Sequence, residues 1–178
     1  MEGVGMTKTM RLRRRFHCAA QSGAIKPWIL IVLLLVLAPL LTLGFYEGRK
    51  AYWDAKVREM CAKDGGIKVY ETMKLPPEKF NEWGQPNFYR PTQGENALGA
   101  DYVFVSDIFY YRKGNPQMAR YHIKVIRRLD GKLIGESISY GRGGGDLPSP
   151  SHGTSFHCPK DYGDIPLLMQ VFIRSNKE

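Results

Sequence analysis

What this chain lacks narrows the field. Among 178 residues there are three cysteines, Cys18, Cys61 and Cys158, too few for a disulfide-dense scaffold. There is one long apolar run and no second, which excludes a multi-span channel or transporter acting alone. Acids are almost missing from the first 26 residues, where Glu2 faces Lys8, Arg11, Arg13, Arg14, Arg15 and Lys26, a net of +5. The 132 residues after the run hold 20 Lys/Arg and 16 Asp/Glu, so most of the overall +9 belongs to the tail. A basic tail is a weak argument for a nucleic-acid-binding body.

The apolar run, Pro27 to Tyr46, has no charge over 20 residues. As a helix it measures roughly 30 Å, the thickness of a bilayer's hydrocarbon core. Trp28 at one end and Phe45-Tyr46 at the other suit the two interfaces, and Pro39 is tolerated in a span at the cost of a kink. The six basic residues before the run outweigh Arg49, Lys50, Lys56 and Arg58 after it, which mix with Glu47, Asp54 and Glu59. The positive-inside rule then puts the N-terminus in the cytoplasm. The expected organisation is a basic cytoplasmic tail (1–26), a transmembrane helix (27–46) and an extracytoplasmic domain (47–178). Arg11, Arg13, Arg14, Arg15 and Lys26 would sit on anionic headgroups. A cleaved signal peptide is the rival, with Thr42-Leu43-Gly44 as its processing site. The run is long for one, and the next cysteine, Cys61, lies too far on for a lipoprotein signal.

In an oxidising compartment Cys61 and Cys158 form an even set and are expected to pair. Closing a loop of that length is worth roughly 4–5 kcal/mol in the chain-entropy model. The alternative is two buried thiols, as a cytoplasmic domain would have.

Past the run, Trp53, Val57, Met60 and Cys61 share one helical face, and Gly65-Gly66 stops the helix. The run and this helix read as one rod. Ile67–Met73 alternates like a strand, 76–100 is a proline-rich loop with a helical turn near 78–83, and Tyr102–Arg112 is a second strand. Ala119–Leu129 and Lys132–Tyr140 flank Asp130-Gly131 as a hairpin. Residues 141–164 read as loop, and Leu167–Arg174 as a last apolar segment, strand in preference to short helix. The fold class is α+β: an N-terminal transmembrane helix, then a small antiparallel-sheet domain of four or five strands with one packed helix.

No catalytic constellation stands out. Gly141-Arg142-Gly143-Gly144-Gly145 offers backbone N–H groups to an anion, yet Asp146-Leu147-Pro148 replaces the Gly-Lys-Ser/Thr and helix of a P-loop. Gly135-Glu136-Ser137-Ile138-Ser139 ends in Ser where a nucleophile elbow needs Gly. His152, His157 and the cysteines match no strong metal spacing, so no metal and no cofactor is expected. Aromatic and basic residues interleave from Tyr102 to Arg128, which suits a pleated sheet and equally an interaction surface. Tyr110, Tyr111, Arg112 and Arg142 are the candidate binding residues.

Three blocks, Cys61-Ala-Lys-Asp-Gly-Gly-Ile-Lys-Val-Tyr-Glu-Thr-Met-Lys-Leu-Pro, Tyr111-Arg-Lys-Gly-Asn-Pro and Gly135-Glu-Ser-Ile-Ser-Tyr, resemble a family of small bacterial single-pass membrane proteins with no assigned activity. The resemblance covers most of residues 50–160. It implies a bacterial source and an anchored protein, and it carries over no functional residue.

The resulting expectation is an inner-membrane, N-in protein displaying a periplasmic module that binds an envelope protein or other envelope component. This reading leans against an enzyme and against nucleic acid as partner, and it leaves small-molecule binding open. Two other classes compete. An envelope hydrolase would gather His152 or His157 with Asp146 or Asp161. A cytoplasm-facing nucleic-acid-binding domain would have reversed topology and two free thiols.

Overall fold

The computed structural model describes residues 26–148 and 153–175; Arg11, Arg13, Arg14, Arg15, Cys18 and His152 lie outside them. Lys26 is exposed, one residue ahead of the first helix, and its carbonyl accepts a hydrogen bond from Ile29 N at 2.9 Å. That helix, α1, runs unbroken from Pro27 to Asp64, with Pro39 inside it. It is long and apolar enough to cross a membrane, and none of its apolar stretch is buried. That combination is consistent with a single-pass membrane protein, because a soluble core helix of this composition would be covered.

The chain divides into two units, one ending at Ala38 and one beginning at Pro39. The first contains an all-apolar helical stretch. The second contains the rest of α1 and an antiparallel sheet. Its strands are β1 (Gly66–Val69), β3 (Tyr102–Arg112), β4 (Gln117–Arg127), β5 (Leu133–Gly143) and β6 (Ser155–Cys158), with β2 (Met73–Leu75) lying apart. The order is β1-β5-β4-β3, and β6 also pairs with β5. β3 is therefore an edge strand.

Each sheet face has its own cover. On one, Val57 and Cys61 of α1 pack with Met118, Ile138 and Tyr140. On the other, Leu167, Leu168 and Val171 of a short helix, α2 (Asp164–Val171), pack with Phe104, Val125 and Ile134. Gly135 lets α2 approach, since a Cβ there would stand 2.5 Å from Val171 Cγ2. The disulfide Cys61–Cys158 ties the end of α1 to β6 across 97 residues.

The expected strand over Leu167–Arg174 is mostly α2; only Phe172–Arg174 is extended, as β7, paired in parallel with β2. The reason is local. A strand would send Leu167 and Leu168 to opposite sides, whereas a helix turns both, with Val171, onto the sheet. Asp164 Oδ1 accepts the Ile165 N–H at 2.8 Å, and Pro166 sits in the first turn, where its missing N–H costs nothing. The domain thus has a second packed helix beyond the one expected. Within the stretch read as loop, β5 continues to Gly143 and β6 adds a short strand. The β4–β5 turn is wider than a two-residue hairpin: Arg127 N bonds Lys132 O at 2.9 Å, and Gly131 takes a φ of 69°.

Candidate functional site

β3 changes character along its length. Tyr102 and Phe104 are buried under the α2 side, while every residue from Ser106 to Arg112 is exposed. Among the described residues β4 alone pairs with β3, so this half presents unpaired backbone groups on its outer edge. Between the polar Asp107 and Arg112 it carries four consecutive exposed apolar or aromatic side chains: Ile108 is 51% exposed, Phe109 60%, Tyr110 42% and Tyr111 47%. A contiguous aromatic stretch of this kind on a sheet edge suits a partner.

The cross-strand register assigns the faces. Ile108 lies opposite Tyr121 and Tyr110 opposite Ala119, on the α2 side. Phe109 lies opposite Arg120 on the α1 side, and an irregularity between Tyr110 and Arg112 brings Tyr111 beside it, ring centroids 4.9 Å apart. Tyr110 and Tyr111 are thus brought together on one edge but point to opposite sides. Arg112 is held: Nε donates to Pro116 O at 2.9 Å, and the guanidinium sits 5.0 Å from the Trp53 ring centroid.

Arg142 is elsewhere. It is 3% exposed, and its Nε donates to Asp54 Oδ1 at 2.5 Å. It is an internal ion-pair residue rather than a surface contact, which corrects its place among the binding candidates. Strand alternation explains this, because Arg142 shares the α1 face with Ile138 and Tyr140. The glycines beside it are no anion cradle either: Gly144 N donates to Thr154 O at 2.9 Å and Gly145 N to Asn115 Oδ1.

Where the bare half meets the covered half, a cleft of about 430 Å³ opens along β3, walled by Tyr89, Phe104, Glu95, Asp107 and Asp164. Tyr89 donates its hydroxyl hydrogen to Asp164 Oδ2, and burial, then that hydrogen bond, pushes its pKa up. Aromatic walls with carboxylates at the rim favour a cationic side chain.

A polar chain on the α1 face was not legible beforehand. Glu136, 8% exposed, accepts from Tyr70 at 2.6 Å and stands 2.7 Å from His122 Nε2. Arg120 Nη1 lies 3.3 Å from His122 Nδ1. A guanidinium can only donate, so Nδ1 is the acceptor and Nε2–H donates to Glu136. Burial raises the Glu136 pKa, but the Tyr70 and His122 hydrogen bonds outweigh it and the net shift is downward. Both imidazole nitrogens are engaged, so the group orders the sheet rather than offering a base. Only the position of Glu136 in a strand whose next residues on that face are apolar could have signalled it.

Of the hydrolase candidates, Asp146 is engaged: it accepts from Thr154 N at 2.6 Å and from Lys50 at 3.1 Å, and its pKa is lowered to about 2, chiefly by the Thr154 backbone N–H. His157 stacks on Tyr162 with centroids 5.2 Å apart, its buried Nδ1 has no hydrogen-bond partner, and burial lowers its pKa. No family model, no curated protein and no solved structure matches the chain.

Proposed function

We propose that this chain is a bacterial inner-membrane protein, N-terminus cytoplasmic, whose periplasmic domain binds an extended segment of an envelope protein by strand addition to β3. The bare half from Ser106 to Arg112 carries the proposal. Main-chain bonds to such an edge supply affinity, and alternate side chains supply selectivity. The Tyr89–Phe104 cleft at the end of that edge fits a Lys or Arg side chain of the added segment.

Two observations favour a foreign protein segment. First, β3 runs toward the Lys50 end of α1, because Arg49 donates to Asn115 O in the β3–β4 turn. An antiparallel β3–β3 pair would point the Tyr46 ends of two helices in opposite directions, which two chains in one bilayer cannot do. Second, the cations of the sheet are largely neutralised. Lys124 pairs with Asp107, Arg127 with Glu71 and Asp130, and Arg120 with Asp64. A nucleic-acid surface would leave them facing out.

The test is site-specific photo-crosslinking of the full chain in its native membrane, with the photoreactive residue at Phe109 or Tyr110 and at Leu129 as control. The expected result is one protein adduct at the β3 positions, mapped to an extended segment and lost when Tyr111 and Arg112 become Ser. Equal labelling from Leu129, or adducts indifferent to that change, would sink the reading.

A further inference from the structure

The end of the domain beside Tyr46 carries a second surface. The first charges after the apolar run are Glu47, Arg49 and Lys50. Counting along α1, Arg49 lies about 4–5 Å beyond Tyr46 at helical rise. A bilayer's headgroup layer is about 5–8 Å thick on each side of the hydrocarbon. Arg49 therefore falls within that layer, and so does whatever is bonded to it.

Two loops are bonded there. Arg49 donates to Asn115 O in the β3–β4 turn, and Lys50 Nζ lies 3.1 Å from Asp146 Oδ1 in the segment after β5. Gly145 N donates to Asn115 Oδ1, locking the loops to each other. From this foot project an exposed cation, Lys113, and an exposed apolar side chain, Leu147, 45% accessible. Lys50 is matched by Glu47 and Asp146, and Arg49 is half-buried against Asn115 O and the Tyr46 ring, so Lys113 is the exposed positive charge of this foot. A cation beside an apolar side chain suits a phosphate layer over acyl chains.

We infer that Lys113 and Leu147 rest on the anionic phospholipid headgroups of the protein's own bilayer, giving the domain a second contact with the membrane besides its helix.

The experiment uses the full chain with Cys18→Ser, reconstituted into nanodiscs of neutral phosphatidylcholine, with or without phosphatidylglycerol. A fluorophore is attached at Leu147→Cys, which keeps Lys113, or, as control, at Leu129→Cys, which is 92% exposed in the β4–β5 turn at the other end of the sheet. Quenching by headgroup-nitroxide lipid is read, and co-elution with the disc reports insertion separately. Quenching should be several-fold stronger at 147 than at 129. In discs containing phosphatidylglycerol it should at least double at 147, and that gain should be lost when Lys113→Glu is added. Equal quenching at 147 and 129, or quenching indifferent to phosphatidylglycerol, would overturn the inference.

Discussion

The two faces of the sheet are held by different physics. On the α2 side the contact is almost entirely apolar: Leu167, Leu168, Val171 and Phe172 against Phe104, Val125 and Ile134. On the α1 side a smaller apolar cluster is framed by directional bonds. These are Arg142–Asp54, Lys50–Asp146, the Tyr140 hydroxyl on Asp64, and the disulfide. An apolar face tolerates sliding, whereas ion pairs and a covalent bridge specify one angle between the helix and the sheet. A domain carried on a membrane helix needs its angle set where it joins that helix.

The sharpest way to test this contrast is Asp54→Ala, which strands the buried Arg142 charge. A loss of about 3–5 kcal/mol is expected in denaturant unfolding. Adding Arg142→Met should recover most of it, because the cost lies in the unpaired charge. If the double variant stays as unstable as the single one, the pair is not what holds this face. Next in size is the bridge. Cys61→Ala with Cys158→Ala should cost about 2–5 kcal/mol, and amide exchange should rise first at Met118 and Tyr140. On the other face, Gly135→Ala forces a Cβ against Val171 and should cost about 1–3 kcal/mol. Its exchange signature should appear at Val125 and Ile134 instead.

Acid should separate the faces more gently. Asp146 at about 2 and the lowered Glu136 both have folded pKa values below their ordinary ones, 3.8 and 4.5. Their contribution is complete above the ordinary values and is lost as pH falls toward 2. Glu71 and Asp130, paired with Arg127, are lowered to about 2 as well, so amide exchange followed from pH 5 to pH 2 should loosen these polar sites and the α1 face before the apolar contact of Leu167, Leu168 and Val171. Simultaneous loosening would mean that the polar frame contributes little.

Much of this was legible in the sequence, for identifiable reasons. The uncharged run, the Trp53–Val57–Cys61 stripe and the Gly65-Gly66 stop are local patterns, and α1 follows them from end to end. β3 starts and stops where its β-branched and aromatic residues do. The Cys61–Cys158 pairing followed from parity, and the structure joins them. β6 and the β2–β7 pair were not legible, since strands of three or four residues carry too few alternations to show.

Site residues divided the same way. Tyr110 and Tyr111 are where an aromatic strand would put them, but nothing local says that β3 ends the sheet. Arg142 looked like a loop cation and is an interior one, because β5 extends further than its glycines advertise. By itself, then, the sequence determined the long apolar helix, the α+β class and the covalent tie, all properties of single segments or of cysteine count. Tertiary structure alone decided which strand was left at the edge, which charges met inside and which loops gathered at the end beside Tyr46. Those depend on contacts between residues far apart in the chain, where no local periodicity reaches.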